Sequence, residues 1–227
     1  MSEGTVAVVA GAGGELGHAT VAVLAASGLR VAALDRNEQA MKDLGDAVRK
    51  EALDAGDPGA VTQVIDRIAA EVGPPGVLVN TVGTFLLADA VDTTPEMLRL
   101  MLDVNLGPAL WLTQAVAPHM RAQGSGAIVH MTARPALEPA GGMAAYSVSK
   151  AALAHLTRTL DLELRPAGIR VNAVAPQLMD TAANRASLPA DVLAHAVAPE
   201  AIARVIAFLV SEAAAPVSGA ILPAYGA

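Results

Sequence analysis

Thr5-Val-Ala-Val-Val-Ala10-Gly11-Ala-Gly-Gly-Glu-Leu-Gly17 decides the fold of this chain. Its first part, residues 5–10, is a short apolar run, which is typical of a strand buried in a parallel sheet. Glycines follow at positions 11, 14 and 17, and residues 19–24 then have a helical pattern. A strand, a glycine turn and a helix in this order let backbone N–H groups and the helix N-terminus face a diphosphate. The stretch therefore predicts a dinucleotide site, with a tight turn that binds nothing as the alternative.

Asp35 ends the second apolar run, residues 29–34, and lies eighteen residues after Gly17. A carboxylate there can accept hydrogen bonds from both adenosine ribose hydroxyls, and it would repel a 2′-phosphate. Arg36 instead favours NADP(H), since a basic residue at this place could stack on adenine or bind a phosphate. Because no basic residue lies among the turn glycines, we expect NAD(H) in preference to NADP(H). The alternative is a solvated Asp at a strand end.

Apolar runs alternate with helical patterns along the rest of the chain. The predicted strands cover residues 48–53, 76–80, 126–131, 169–174 and 219–223, and the predicted helices cover residues 38–44, 58–72, 94–123, 143–166 and 200–210. Asp57 and Pro58 are typical of an N-cap and a first helical residue. Pro108 predicts a kink beside Asn105, because it has no N–H to donate. The alternation predicts an α/β fold, a doubly wound parallel sheet in a single domain over residues 1–227.

Ligands of such sheets bind outside the carboxyl ends of the strands. The features that fall at these ends are the glycine turn, Asp35, Asn80, the segment 132–134 and the loop that begins at Pro176. The loop of residues 176–199 should lie over the same edge. We therefore expect one ligand site, at the carboxyl edge of the sheet.

Composition excludes several classes of function. The net charge is −7 and aromatic residues make up 2%, so neither a basic footprint nor a stacking platform for nucleic acid is present. The five histidines are scattered and none has metal-ligand spacing, so we expect no metal site. No apolar run reaches about 18 residues without charges, so we expect no membrane span.

The N-terminus and the cysteine count bear on location. Met1-Ser2-Glu3-Gly4 has no basic start, so we expect no signal peptide. The chain has no cysteine, which leaves no disulfide framework and no thiolate chemistry. We expect a cytoplasmic protein.

Tyr146 and Lys150 are four residues apart, so they share one face of the predicted helix 143–166. A phenol with a pKa of ~10 is a poor acid or base at neutral pH. A fixed ammonium favours the phenolate, and a shift of ~3 units in pKa needs about 4 kcal/mol of differential stabilisation. Such a shift requires partial desolvation and a second positive charge, which a nicotinamide ring would supply. A half-exposed aromatic beside a lysine is the alternative.

Taken together, these features resemble the short-chain dehydrogenase/reductase family over essentially the whole chain. The matching pieces are the glycine turn 11–17, Asp35, Asn80-Thr-Val-Gly83, Asn105, Tyr146-x-x-x-Lys150, Asn172-Ala-Val-Ala-Pro176 with Thr181, and the tail from Pro199-Glu200 through Phe208-Leu209 to Gly219. The resemblance implies a Rossmann fold and an NAD(P)(H)-dependent oxidoreductase. Tyr146 would be the proton donor or acceptor. Lys150 would hold the nicotinamide ribose and lower the pKa of Tyr146, and Asn105 would maintain a proton-relay water.

The cofactor contacts predicted from the residues and the resemblance together form one set. They are Gly11, Gly13, Gly14, Glu15, Leu16, Gly17, Asp35, Arg36, Asp54, Asn80, Thr81, Val82, Tyr146, Lys150, Pro176 and Thr181.

The chain departs from the family pattern at several positions. Glu15 replaces the middle glycine of the turn, Thr81-Val82 replaces Asn-Ala, and Gln177 replaces a glycine. The family's serine, thirteen residues before the tyrosine, falls on Ala133. That serine normally donates a hydrogen bond to the reacting carbonyl oxygen, which alanine cannot do.

Two neighbours of Ala133 are candidate substitutes for the missing donor, Thr132 and Arg134. We include Thr132 with Tyr146, Lys150 and Asn105 as the predicted catalytic residues. In an extended segment, however, adjacent side chains point to opposite faces, so Thr132 does not automatically replace a serine at position 133.

Loss of the serine is tolerated in one branch of the family, the dihydropteridine reductases. The run Ala133-Arg134-Pro135-Ala136-Leu137-Glu138, then Gly142-Met143, resembles that branch, as do Asp180-Thr181, Asn184-Arg185, Ser187, Pro189 and Asp191. Asn105 and the middle of the chain resemble the ordinary carbonyl reductases. A small carbonyl or alcohol and a C=N compound both remain possible substrates.

Two functions outside this reaction are the alternatives. A nucleotide-binding protein without turnover is suggested by Ala133, but Tyr146, Lys150 and Asn105 are all retained. Ser147-x-x-Lys150 formally matches the S-x-x-K motif of serine hydrolases. The partner motifs Lys-Thr-Gly and Ser-Asp-Asn do not occur, so this match is attributed to chance.

Helices 94–123 and 143–166 are apolar on more than one face. The residues concerned are Leu110, Trp111, Leu112, Val116, Leu153, Leu156, Leu160 and Leu162. A sheet covers only one face of each helix, so the surplus predicts a homo-oligomer, a dimer or a tetramer. Met97, Leu98, Met101 and Leu102 are predicted to be a core stripe.

Overall fold

Within residues 4–226, which the computed structural model describes, seven strands form one parallel sheet in the order β3-β2-β1-β4-β5-β6-β7. The strands are β1 Val6–Ala10, β2 Arg30–Asp35, β3 Arg49–Ala52, β4 Pro75–Asn80, β5 Gly126–Met131, β6 Ile169–Pro176 and β7 Ile221–Ala224. The strand order reverses between β1 and β4, as in a doubly wound sheet. The predicted fold class is confirmed. The prediction of no signal peptide depends on residues 1–4, of which residues 1–3 lie outside the described residues.

Helices cover both faces of the sheet. They are α1 Glu15–Ala26, α2 Pro58–Glu71, α3 Pro95–Asn105, α4 Gly107–Gln123, α5 Ala144–Leu164, α6 Ala182–Ser187, α7 Ala190–Leu193 and α8 Pro199–Val210. Side chains alternate along each strand, so Val8 packs with α2, α4 and α5, while Val9 packs with α1 and α8 on the other face. The sheet is therefore buried between two helical layers, which explains why its central strands are apolar throughout.

Two helix boundaries differ from the prediction. Residues 38–44 contain only a single 3₁₀ turn, Glu38–Met41, which buries Met41. The predicted helix 94–123 is two helices that meet at Leu106. Pro108 accounts for the break beside Asn105, since it lacks the N–H that a continuous helix would need there.

The predicted core stripe of α3 is only partly covered, since Met97 and Leu102 are half-buried. Met101 is fully buried, but the side chain of Leu98 is 38% exposed. The reason is that α3 packs against α4 and α5 and not directly on the sheet, so only one narrow side of it is covered. The Asp57 cap of α2 is as predicted, with the carboxylate accepting from the N–H groups of Gly59 and Ala60.

No helix within residues 4–226 is long and apolar enough to cross a membrane. Within the same range, no three His, Cys, Asp or Glu side chains come together in a way that could hold a metal ion.

Candidate active site

The glycine turn between β1 and α1 is closely packed on one side and open on the other. Gly11 has a φ of 77°, and a Cβ at this position would lie 2.6 Å from Thr81 Oγ1. A Cβ at Gly14 would meet nothing nearer than the Gly11 carbonyl oxygen at 3.6 Å. Gly14 also caps α1 without a side chain, so the first N–H groups of the helix, from Glu15 onward, are free to bind an anion.

Asp35 is held beside this turn by two backbone N–H groups. Gly13 donates to Oδ2 at 2.9 Å, and Asn37 donates to Oδ1 at 2.9 Å. Each oxygen keeps a lone pair for a further donor. A Cβ at Gly13 would lie 2.9 Å from Asp35 Cγ, so the glycine makes room for the carboxylate. Arg36 is exposed, and within residues 4–226 it forms no ion pair.

The turn after β4 is built from side chain to backbone hydrogen bonds. Thr81 donates from Oγ1 to the Ala10 carbonyl at 2.8 Å, which ties this turn to the glycine turn. Asn80 is buried, and its Oδ1 accepts from the Val82 N–H at 3.0 Å. These three predicted cofactor contacts therefore also shape the edge of the cleft. Asp54, at the end of β3, accepts from the Gly56 N–H and is exposed.

Lys150 is buried at the sheet edge, one helical turn from Tyr146 on α5. Its ammonium donates to the Met131 carbonyl oxygen at 2.9 Å. Tyr146 is half-buried, and the ring of Phe85 meets it edge-on with centroids 6.5 Å apart. Phe85 was not predicted as a site residue, because it lies in a segment of the sequence with no motif.

The pKa values of this pair are both moved by burial. Burial raises the pKa of Tyr146 to about 12 and lowers the pKa of Lys150 to about 8. The lowering of the Tyr146 pKa that the resemblance implies is not found, because the protein alone contributes desolvation and the Lys150 ammonium is bonded to Met131. A further positive charge at the hydroxyl is required to make Tyr146 an effective base.

Asn105 connects the α3–α4 break to the tyrosine helix. Its Oδ1 accepts from the Thr84 N–H at 2.9 Å, and its Nδ2 donates to Ser149 Oγ at 3.0 Å. Ser149 in turn donates to the Tyr146 carbonyl at 2.8 Å. This chain of hydrogen bonds fixes the first turn of α5. Ser149 was missed at the sequence level, where serine on a helix has no distinctive signal.

Gly83 lies where Asn105 and Lys150 meet. A Cβ at this glycine would be 2.9 Å from Asn105 Oδ1 and 3.0 Å from Lys150 Nζ. The structure thus brings together three of the four predicted catalytic residues. Asn105 and Lys150 both lie beside Gly83, and Tyr146 lies one helical turn from Lys150 on α5.

Thr132, the fourth, donates its hydroxyl proton to the Lys150 carbonyl at 2.8 Å. In this arrangement the proton is not available to a substrate. Ala133 is buried and its side chain has no polar atom. Arg134 pairs with Glu138 at 2.7 Å, and its guanidinium lies 5.0 Å from the centre of the Tyr225 ring. No protein group therefore occupies the role of the family's serine among the residues next to Ala133.

His130 is a buried base for which the sequence predicted no role. Its Nε2 lies 3.4 Å from Thr113 Oγ1, on the same side of the sheet as Lys150. Burial, and then the charge of Lys150, lower the pKa of His130 to about 4, so it is neutral at pH 7. A histidine inside the apolar run 126–131 was the only signal in the sequence.

The structure gives no support to a Ser–Lys hydrolase. The Ser147 hydroxyl is buried and has no hydrogen-bond partner in the described part of the chain, while the Lys150 ammonium is bonded to Met131. A hydrolase of this type needs the serine and its base in hydrogen-bond contact.

Residues 177–197, here called the substrate loop, follow Pro176 at the end of β6 and contain α6 and α7. Thr181 caps α6 by accepting from the Asn184 N–H at 3.3 Å. The neighbouring Ala182 N–H donates to Glu15 Oε1 on the glycine turn at 2.6 Å. Pro176 and Thr181 therefore lie on the same edge as the other predicted cofactor contacts.

These residues fit a nicotinamide dinucleotide. Asp35 presents acceptors for hydroxyl groups, Gly14 leaves an open helix N-terminus for a diphosphate, and Lys150 places an ammonium at the other end of the cleft.

Comparison with known proteins identifies the family of this chain. The family model described as short chain dehydrogenase matches residues 5–191. The cis-4-hydroxycyclohexanecarboxylate dehydrogenase of Sinomonas cyclohexanicum is 36% identical over 240 residues, covering 97% of this chain and 95% of that protein. The structure of NAD+-bound xylitol dehydrogenase is similar with a TM-score of 0.90 and 28% identity, covering 99% of each chain. The NADP-bound structure of ElxO has the same fold, with a TM-score of 0.89 and 20% identity over 96% of each chain. This chain belongs to the short-chain dehydrogenase/reductase family, whose enzymes are nicotinamide-dependent oxidoreductases.

Proposed function

We propose that the protein transfers hydride between NAD(H) and a small substrate, a carbonyl/alcohol or a C=N compound, with Tyr146 as the acid or base. The observation that carries the proposal is the meeting of buried Lys150 and Asn105 at Gly83, one helical turn from Tyr146. A nicotinamide, when bound, supplies or accepts the hydride. Turnover of NADH with a panel of carbonyl and imine substrates tests the proposal, and absence of turnover with every member would contradict it.

Each residue has a distinct part in this reaction. The Tyr146 hydroxyl gives its proton to the substrate oxygen or nitrogen in reduction and recovers a proton in oxidation. Lys150, with a pKa of about 8, is protonated at neutral pH and can hold ribose hydroxyls. Asn105 and Ser149 keep the start of α5 in place. Phe85 packs against the tyrosine ring and helps to hold it in place.

The nature of the substrate divides the proposal into two branches. The names of the two similar dehydrogenases, for a hydroxy acid and for xylitol, support an alcohol or carbonyl substrate. Ala133 and the segments similar to dihydropteridine reductase support a C=N substrate, since an iminium carbon depends less on a donor to an oxyanion. The partner is a small molecule in both branches, and the cytoplasm remains the expected location.

A nucleotide-binding protein without turnover is the second candidate function. The specific observation in its favour is Ala133, which leaves the site without the usual serine hydroxyl. It predicts tight NADH binding with no oxidation of NADH by any substrate, which the substrate panel would reveal.

Asp35→Ala is expected to weaken NADH binding roughly 10- to 100-fold, the value of a hydrogen bond to a charged group. The physical reason is the loss of a carboxylate whose position is fixed by Gly13 and Asn37. NADPH binding should fall less, because the repulsion of its 2′-phosphate is removed at the same time. Fluorescence titration with both nucleotides measures the difference between the NADH and NADPH affinities.

Arg36→Ala is the matched variant for this titration. If Asp35 selects NADH, Arg36 can contact only the 2′-phosphate of NADPH. Arg36→Ala should then change the affinity for NADPH more than the affinity for NADH. Wild-type protein that binds NADPH tenfold more tightly than NADH would overturn the assignment of Asp35.

The predicted homo-oligomer rests on fewer residues than the sequence suggested. Leu112, Val116, Leu153 and Leu160 are buried in the core of a single chain, so they do not form a surplus. Leu162 on α5 is 70% exposed, and Val148 and Leu100 are also exposed. These apolar side chains on α3 and α5 support a helix-on-helix contact between two copies.

Light scattering at micromolar concentration is expected to give a dimer or a tetramer. Leu162→Glu should shift the protein toward the monomer, because it buries a charge in the contact. Lys42→Glu, a charge change at an exposed residue outside α3 and α5, is the control. A wild-type monomer would contradict the prediction.

A further inference from the structure

The carboxylate of Glu15, on the glycine turn, contacts the substrate loop. Oε1 accepts from the Ala182 N–H at 2.6 Å, and Oε2 lies 3.7 Å from Arg185 Nη2. The bonded residues are 167 positions apart in the chain. In the family pattern this position of the turn is a glycine, which could make neither contact.

The substrate loop is tied together internally. Arg185 pairs with Asp180 at 2.7 Å, and Asn184 donates from Nδ2 to the Met179 carbonyl at 2.8 Å. Val197 donates to the Leu178 carbonyl at 2.8 Å, which closes the base of the loop. The loop can therefore move as one unit if its contacts to the rest of the protein are released.

Those outside contacts are few. Within residues 4–226, the hydrogen bonds and ion pairs that join residues 177–197 to the rest of the protein all end at Glu15. Neither α6 nor α7 has a buried residue, and only the base of the loop, at Met179 and Val197, packs against the core. The middle of the loop is thus held over the cleft by one side chain.

We propose that Glu15 is a positioning residue, a clasp that holds the substrate loop closed over the cofactor turn. The N-terminus of α1 is where a diphosphate would bind, and a second negative charge beside it is unfavourable. Only while the loop is closed does the Ala182 N–H donate to the Glu15 carboxylate and the Arg185 guanidinium, 3.7 Å away, offset part of its charge. Closure of the loop and binding of the dinucleotide therefore favour each other. The inference depends on the proposed function only in naming this segment the substrate loop.

Hydrogen exchange followed by mass spectrometry tests the clasp without cofactor or turnover. Glu15→Gly is expected to speed exchange in peptides from residues 177–197 by roughly tenfold, since an exposed ion pair with one hydrogen bond to a charge has about that value. Glu15→Gln keeps an acceptor for the Ala182 N–H and should give a smaller increase. Peptides from α8 should not change.

Glu200→Gln is the control for charge. Glu200 lines the same cavity of about 500 Å³ as Glu15 and Arg185, but it does not contact the loop through a hydrogen bond or ion pair in the described range. Exchange in the loop should be unaffected by this change. Equal acceleration by Glu200→Gln, or no acceleration by Glu15→Gly, would overturn the proposal.

NADH titration of a double-mutant cycle tests the link to the cofactor. Arg185→Met is expected to weaken NADH binding severalfold when Glu15 is present, because the charge of the carboxylate is no longer partly offset. In the Glu15→Gly background the same change should have no effect. Equal weakening in both backgrounds would mean that Arg185 contacts the cofactor directly, and the clasp would be excluded. The exchange result is independent of whether the enzyme reduces any substrate. Failure of the Glu15 proposal can therefore be distinguished from failure of the proposed function.

Discussion

Tyr146→Phe is expected to lower kcat by roughly 10²–10⁴-fold, the usual contribution of a positioned proton donor. Phenylalanine keeps the ring that Phe85 packs against, so the site retains its shape and loses only the hydroxyl. NADH affinity should therefore change little. Single-turnover oxidation of bound NADH measures the loss directly, and a titration with NADH checks that binding is retained.

Tyr225→Phe is the matched control, since Tyr225 is the other tyrosine of the chain. It removes a hydroxyl near Arg134 and Glu138 but leaves the proton donor in place. A Tyr146→Phe enzyme with wild-type kcat on its best substrate would exclude Tyr146 as the acid or base. Loss of kcat in Tyr146→Phe but not in Tyr225→Phe is the expected pattern.

Ala133→Ser is expected to raise ketone reduction by roughly 10²–10³-fold, the value of one donor to a developing oxyanion. The backbone at Ala133 is extended, with φ −158° and ψ 161°, a conformation that serine adopts freely. The side chain is buried, so an added hydroxyl would be desolvated and effective as a donor. Reduction of an imine or a quinonoid dihydropterin should change much less, because its carbon is already electrophilic.

Ala136→Ser is the control, because it adds a hydroxyl to the same 3₁₀ turn at a position away from the family's serine. The rates of both variants with a ketone and with a C=N substrate decide between the two substrate branches. Wild-type protein that is fast on ketones and inert toward every C=N substrate would exclude the imine branch.

Local sequence signals were sufficient for most of the fold. The apolar run and glycines of residues 5–17 predicted β1, the turn and α1, because strand burial and the left-handed φ of Gly11 leave a clear pattern in residue type. Asp57 with Pro58 predicted the start of α2, and Pro108 predicted the break beside Asn105. Each of these depends on a few neighbouring residues.

Contacts between distant segments could not be predicted in the same way. Thr132 was a candidate donor from its position, but its hydroxyl bonds the Lys150 carbonyl on another element. The sequence showed Glu15 only as a departure from the glycine pattern, and its contact with Ala182 depends on the fold. Leu98 looked like core because periodicity gives the face of a helix but not the size of the partner that covers it.

Gly83 limits what protein engineering can change at this site. Its φ is not in the left-handed region, so the backbone itself would accept any residue. The restriction is space, since even one methyl group would lie 3.0 Å or less from both Asn105 Oδ1 and Lys150 Nζ. A library aimed at new substrates should keep this glycine and vary Phe85, whose ring packs against Tyr146 outside this polar centre.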